Sequence, residues 1–86
     1  MTVMVESLVK VYLFADNGRE SLEAEKLLRS MGVEFKKIDV SRNGLRGWLL
    51  VEFGTMDTPI MTTPDAVVIG LENIQRYLKN SGKKLL

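Results

Sequence analysis

Leu13 to Ser21, read as Leu-Phe-Ala-Asp-Asn-Gly-Arg-Glu-Ser, is the stretch where polar side chains crowd a turn between an apolar run and a helical pattern. It offers a carboxylate, a carboxamide, a guanidinium and a hydroxyl, and no activated nucleophile. The chain has neither Cys nor His. A disulfide, a thiol nucleophile, an imidazole base and the soft-metal ligands are therefore all ruled out. Asn17 followed three residues later by Glu20 reads as a capping box, the asparagine accepting from the N3 amide and the glutamate reaching back to the N-cap. Asp16 and Gly18 read as ordinary turn residues. Elsewhere, Pro59 reads as a strand-start proline, which sheets tolerate. Met56 and Met61 without His or Cys read as flexible core filling. Trp48, with Leu49 and Phe53, reads as core under a helix.

Seven elements of regular pattern have to hold these residues in place. Leu8 to Ala15 is β-branched and aromatic with one charge, the mark of a central strand covered on both faces. From Leu22 to Met31 the apolar positions Leu22, Ala24, Leu27, Leu28 and Met31 recur at helical spacing, and Gly32 follows as a C′ residue. Val33 to Val40 predicts a second strand with a slip at Lys36-Lys37. Leu45, Trp48, Leu49, Glu52 and Phe53 fit a short second helix, although Gly44 and Gly47 each cost about 1 kcal/mol of helix propensity. Pro59 to Thr62 and Ala66 to Ile69 predict an antiparallel hairpin turning at Pro64-Asp65. Leu71 to Asn80 predicts a last helix with Leu71, Ile74, Tyr77 and Leu78 inward and Gly82 near its end, the final residues fraying.

The order is β-α-β-α-β-β-α, an α/β arrangement of a mixed four-stranded sheet with helices on both faces. Eighty-six residues make one small domain, able to bury roughly 60% of its unfolded surface. A 45% hydrophobic, 27% charged composition is that of a globular chain. Twelve basic residues against eleven acidic ones give a net charge of +1, which asks for no nucleic acid. Glu6 and Lys10 interrupt the opening apolar run and no cleavage pattern follows, so it reads as mature protein. The expectation is a cytoplasmic domain with no membrane partner.

The order of elements and the residues at their joints resemble a glutaredoxin-like member of the thioredoxin fold. The segment from Lys10 to Asn43 is similar to the family's opening strand, active-site turn, first helix ending Leu-Leu-x-x-x-Gly-Val, and second strand ending Ile-Asp-Val. Gly54 to Ile74 is similar to its second half, where Thr-Pro carries a cis-proline, a hairpin follows and Ile-Gly opens the last helix. Counted back from Leu27-Leu28, the family's Cys-x-x-Cys falls on Gly18-Arg19-Glu20-Ser21. Thiol–disulfide exchange needs a thiolate, which neither glycine nor serine supplies.

What the resemblance implies is a groove without the redox chemistry, formed by Asn17, Gly18, Arg19 and Ser21, by Thr58 and a cis Pro59, and by Gly70-Leu71. A protein or peptide partner, or a small thiol compound, is the occupant it implies, and glutathione is the candidate cofactor. Arg19 would place a charge beside the groove, and Glu72, acidic at a helix start, suits capping better than an anion site. Related glutathione transferases use a serine near this helix start to hydrogen-bond the glutathione sulfur, which makes Ser21 the one catalytic candidate. A scaffold domain is the third reading.

Overall fold

The computed structural model describes residues 10–41 and 44–85, with side chains through residue 80. Leu8 and Val9 of the expected first strand, Arg42 and Asn43, and Leu86 lie outside the described residues. The elements are β1 (Tyr12–Ala15), α1 (Arg19–Ser30), β2 (Lys36–Asp39), α2 (Leu45–Phe53), β3 (Ile60–Thr62), β4 (Val67–Ile69) and α3 (Leu71–Leu85). They form a four-stranded sheet in the order β2-β1-β3-β4. β1 runs parallel to β2 and antiparallel to β3, and β3 and β4 form the hairpin.

Alternation along β1 explains the two-sided core. Phe14 pairs with Ile38 and Ile60, and Ile60 with Ile69, so one row crosses the sheet on the face that α2 covers through Leu49. Leu13 and Ala15 point the other way, into a larger cluster with Met61 and Val68 of the hairpin, Ala24 and Leu28 of α1, and Ile74 and Leu78 of α3. Leu13, Leu28, Leu49, Ile60, Met61 and Ile74 have no exposed surface. Burying each such side chain stabilises the fold by about 1.5–3 kcal/mol. No helix among the described residues is long and apolar enough to cross a membrane.

The end of α1 follows its sequence closely. Gly32 takes φ 71°, its N–H bonds the Arg29 carbonyl, and the N–H of buried Val33 bonds that of Leu28, which together make a Schellman motif. Its start does not. Gly18 is the N-cap, in extended conformation and without any side-chain cap bond, and Asn17 is exposed. The capping box is absent because α1 begins at Arg19, so the N-cap falls on Gly18, which has no side chain to accept an amide. Leu22 is 48% exposed, and Ser21 holds its expected place on the inner face with Ala24 and Leu28.

Other boundaries shift for identifiable reasons. β2 starts only at Lys36, so the slip at the paired lysines marks the start of the strand and not a kink within it. Gly44 precedes α2 in left-handed conformation, where glycine is the suited residue, and Gly54 closes the helix the same way. α3 continues through Gly82 to Leu85; a lone glycine costs a helix only about 1 kcal/mol and does not end it. Trp48 is 43% exposed, at the rim, its ring tilted against Phe14 and edge-on to Phe53 at centroid distances of 5.6 and 5.8 Å. Met56 is exposed in the loop before β3 while Met61 is buried on the opposite face, so the two do not pack as a pair.

Candidate functional site

β1 delivers the chain to Asp16 at the end of the sheet where α1 begins, and Thr58-Pro59 reaches the same end from the α2–β3 loop. Asp16 is the hub. Its Oδ1 accepts from the Gly18 amide at 2.8 Å, an Asx turn in which a short carboxylate bonds the backbone two residues on. Its Oδ2 accepts from the Thr58 hydroxyl at 2.9 Å and from Nη2 of Arg46 in the first turn of α2. A second guanidinium nitrogen of Arg46 donates to the Met56 carbonyl at 3.1 Å. Three segments, the β1–α1 turn, α2 and the loop before β3, thus meet on one side chain.

Ser21 stands behind this hub. It is 2% exposed, and its Oγ accepts from the Asp16 amide at 3.2 Å. Ser21 faces inward, and its hydroxyl fixes the turn. The Gly18 amide holds the Asp16 carboxyl well below the usual carboxylate range. Partial burial opposes that shift, and bonds from Arg46, Ser21 and Thr58 reinforce it. The group is a fixed anion at neutral pH.

Thr58-Pro59 is a cis peptide, Pro59 is buried, and its carbonyl accepts from the Gly70 amide at 2.8 Å. That bond ties the start of β3 to the turn before α3, where Gly70 takes φ 92°. Beside it lies an open cavity of about 580 Å³ lined by Glu20, Gly70, Leu71, Glu72, Asn73 and Gln75. Of the residues singled out in the sequence, Gly18, Ser21, Thr58, Pro59, Gly70 and Leu71 therefore share one edge of the molecule. Asn17 and Arg19 are exposed there. Glu72 pairs with Arg76 one turn on at 3.3 Å, and Asn73 donates to the Ile69 carbonyl at 2.9 Å.

Two residues of this site carried little signal. Asp16 was legible as a turn former from the Asp-x-Gly spacing, but its partners Arg46 and Thr58 lie 30 and 42 residues away. Arg46 had one mark: it is the lone cation of an otherwise mostly apolar helix. No group of three or more His, Cys, Asp or Glu residues suited to a metal ion occurs among the described residues.

No protein-family model matches the chain, and no curated protein matches it. Solved structures do. The glutaredoxin–glutathione complex from buckwheat superposes with a TM-score of 0.73 at 13% identity, over 84% of this chain and 70% of that one. Reduced glutaredoxin C1 from Populus tremula x tremuloides gives a TM-score of 0.76 at 17% identity, over 91% and 72% of the two chains. Glutaredoxin from Brucella melitensis gives 0.69 at 26% identity, over 91% and 86%.

Proposed function

From a chain that is glutaredoxin-like in fold and has no cysteine, we propose a binding module that uses the groove of that fold without its thiol chemistry. The observation that supports this reading is a chain of hydrogen bonds joining the residues that would wall the groove. The Asp16–Gly18 turn is bonded to Thr58, and Pro59 is bonded to Gly70, beside an open cavity. An extended segment of a protein or peptide laid along Thr58-Pro59 toward Gly70-Leu71 is the occupant this arrangement suits. A small thiol compound is its simpler form, in keeping with the glutathione bound by the buckwheat protein.

The cavity's volume lies within the range of ligand sites, about 300–1,000 Å³. A transferase reading built on Ser21 gains nothing from the geometry, because that hydroxyl is buried and already accepts the Asp16 amide.

Reduced glutathione, and separately an extended peptide, titrated into isotope-labelled protein test the proposal. Amide signals of Gly18 to Ser21, Thr58 and Gly70 should move together along one saturating curve. Scattered or absent shifts would leave the fold as a scaffold only. Disulfide reductase turnover with glutathione should stay at the uncatalysed rate, since no residue can form the mixed disulfide. Turnover by pure protein would overturn the mechanism.

A further inference from the structure

We propose that the Asp16 carboxylate is an internal ligand: it fills an anion site built by the Gly18 amide, the Thr58 hydroxyl and the Arg46 guanidinium, and so bars external anions from the head of α1. Each donor reaches the carboxylate from a different segment, and each is held by something besides Asp16. Gly18 caps α1, with its carbonyl accepting the Leu22 amide at 3.1 Å. Arg46 is anchored by the Met56 carbonyl at 3.1 Å. Thr58 is held by the chain itself, since the next residue, Pro59, is buried just before β3.

Take away the carboxylate, and three donors still converge on the volume it occupied, one of them a cation and one at a helix N-terminus. Amides at a helix N-terminus and guanidinium groups are both partners that bind carboxylates and phosphates. In the intact chain the Asp16 carboxylate, tethered by the backbone two residues away, fills the position, and it remains ionised at neutral pH.

The consequence is specificity. Whatever lies in the groove meets the start of α1 with a neutral or cationic group, because the fixed charge there is negative. The inference does not depend on the groove's ligand, and its test uses none.

Asp16→Ala opens the site, and acetate is the probe, compared with chloride at equal ionic strength. Acetate should raise the Tm of Asp16→Ala, the stabilisation growing with the logarithm of one plus its concentration over its dissociation constant, while leaving the wild type unchanged. At an acetate concentration roughly ten times its dissociation constant, the folded-to-unfolded ratio of the variant should rise about elevenfold. Adding Arg46→Met should abolish most of that rise, which a non-specific salt effect would not. If Asp16→Ala is unfolded in chloride, acetate should restore its folded spectrum, and failure to do so overturns the proposal. Equal responses of variant and wild type, or none in either, overturn it too.

Discussion

A Cβ built on Gly18 would stand 3.0 Å from Oδ1 of Asp16, closer than nearly all real contacts of that kind. The glycine is thus fitted to its neighbour's carboxylate as well as to the turn. It follows that restoring thiols at this turn does not by itself restore a reactive site. In Gly18→Cys combined with Ser21→Cys, the start of α1 pulls the thiol introduced at position 18 below the free value of about 8.5, while the adjacent Asp16 carboxylate pushes it up. Adding Asp16→Ala should therefore lower that thiol's pKa by about one unit or more, read from thiolate absorbance against pH. An unchanged pKa would mean that the carboxylate does not sit beside position 18. Ser21→Ala alone removes the acceptor for the part-buried Asp16 amide and should destabilise the protein by about 0.5–1.5 kcal/mol in urea unfolding, the usual net worth of such a hydrogen bond.

The helices differ in how far their sequences announce them, and the differences have physical causes. α1 ends where Gly32 demands it, because the Schellman motif needs a left-handed residue at C′. Gly32→Ala should cost about 1–2 kcal/mol by thermal unfolding, the penalty for a Cβ in that conformation. α2 is the opposite case. Leu45, Trp48, Leu49, Leu50, Val51 and Phe53 make it apolar nearly all round, so its sequence cannot say which face is inside. Only Leu49 is fully buried, and Val51 is 80% exposed. Val51→Lys should change stability by no more than about 0.5 kcal/mol, whereas Leu49→Ala should cost about 2–5 kcal/mol. The same contrast explains what was legible. Period and cap residues marked α1, β1, the hairpin and the order of elements, since those signals are local. Arg46 meeting Asp16, Trp48 coming to the rim and Ser21 displacing Leu22 from the inner face depend on which surfaces the tertiary fold brings together. Glycine tolerance in a long helix, as at Gly82, is likewise decided by context.

At the scale of the whole molecule, two charge pairs bind segments that no apolar cluster joins directly. Asp16 ties the β1–α1 turn to α2 through Arg46, and Glu25 of α1 reaches Lys37 of β2 at 3.1 Å as well as Arg29 of its own helix at 2.8 Å. Both carboxyls titrate below their usual range, Asp16 chiefly through the Gly18 amide and Glu25 chiefly through Arg29. A carboxyl whose pKa is lower folded than unfolded binds fewer protons in the native state. Its stabilisation is complete above the unfolded value, about 3.9 for Asp and 4.3 for Glu, and is lost as pH falls below it. Urea midpoints should therefore hold level from neutral pH down to about 5 as far as these two groups are concerned, then fall as the medium is made more acid. Glu25→Gln removes one of the two contributions and Asp16→Asn the other. Each variant should be less stable than wild type at pH 7 and lose less on acidification, the deeper shift making Asp16→Asn the flatter of the two. The pair combined should flatten the profile further, because the two carboxyls share no partner and their effects add. An acid-induced fall as steep in the double variant as in the wild type would place the pH sensitivity in other carboxylates and deny these two ties any part in it.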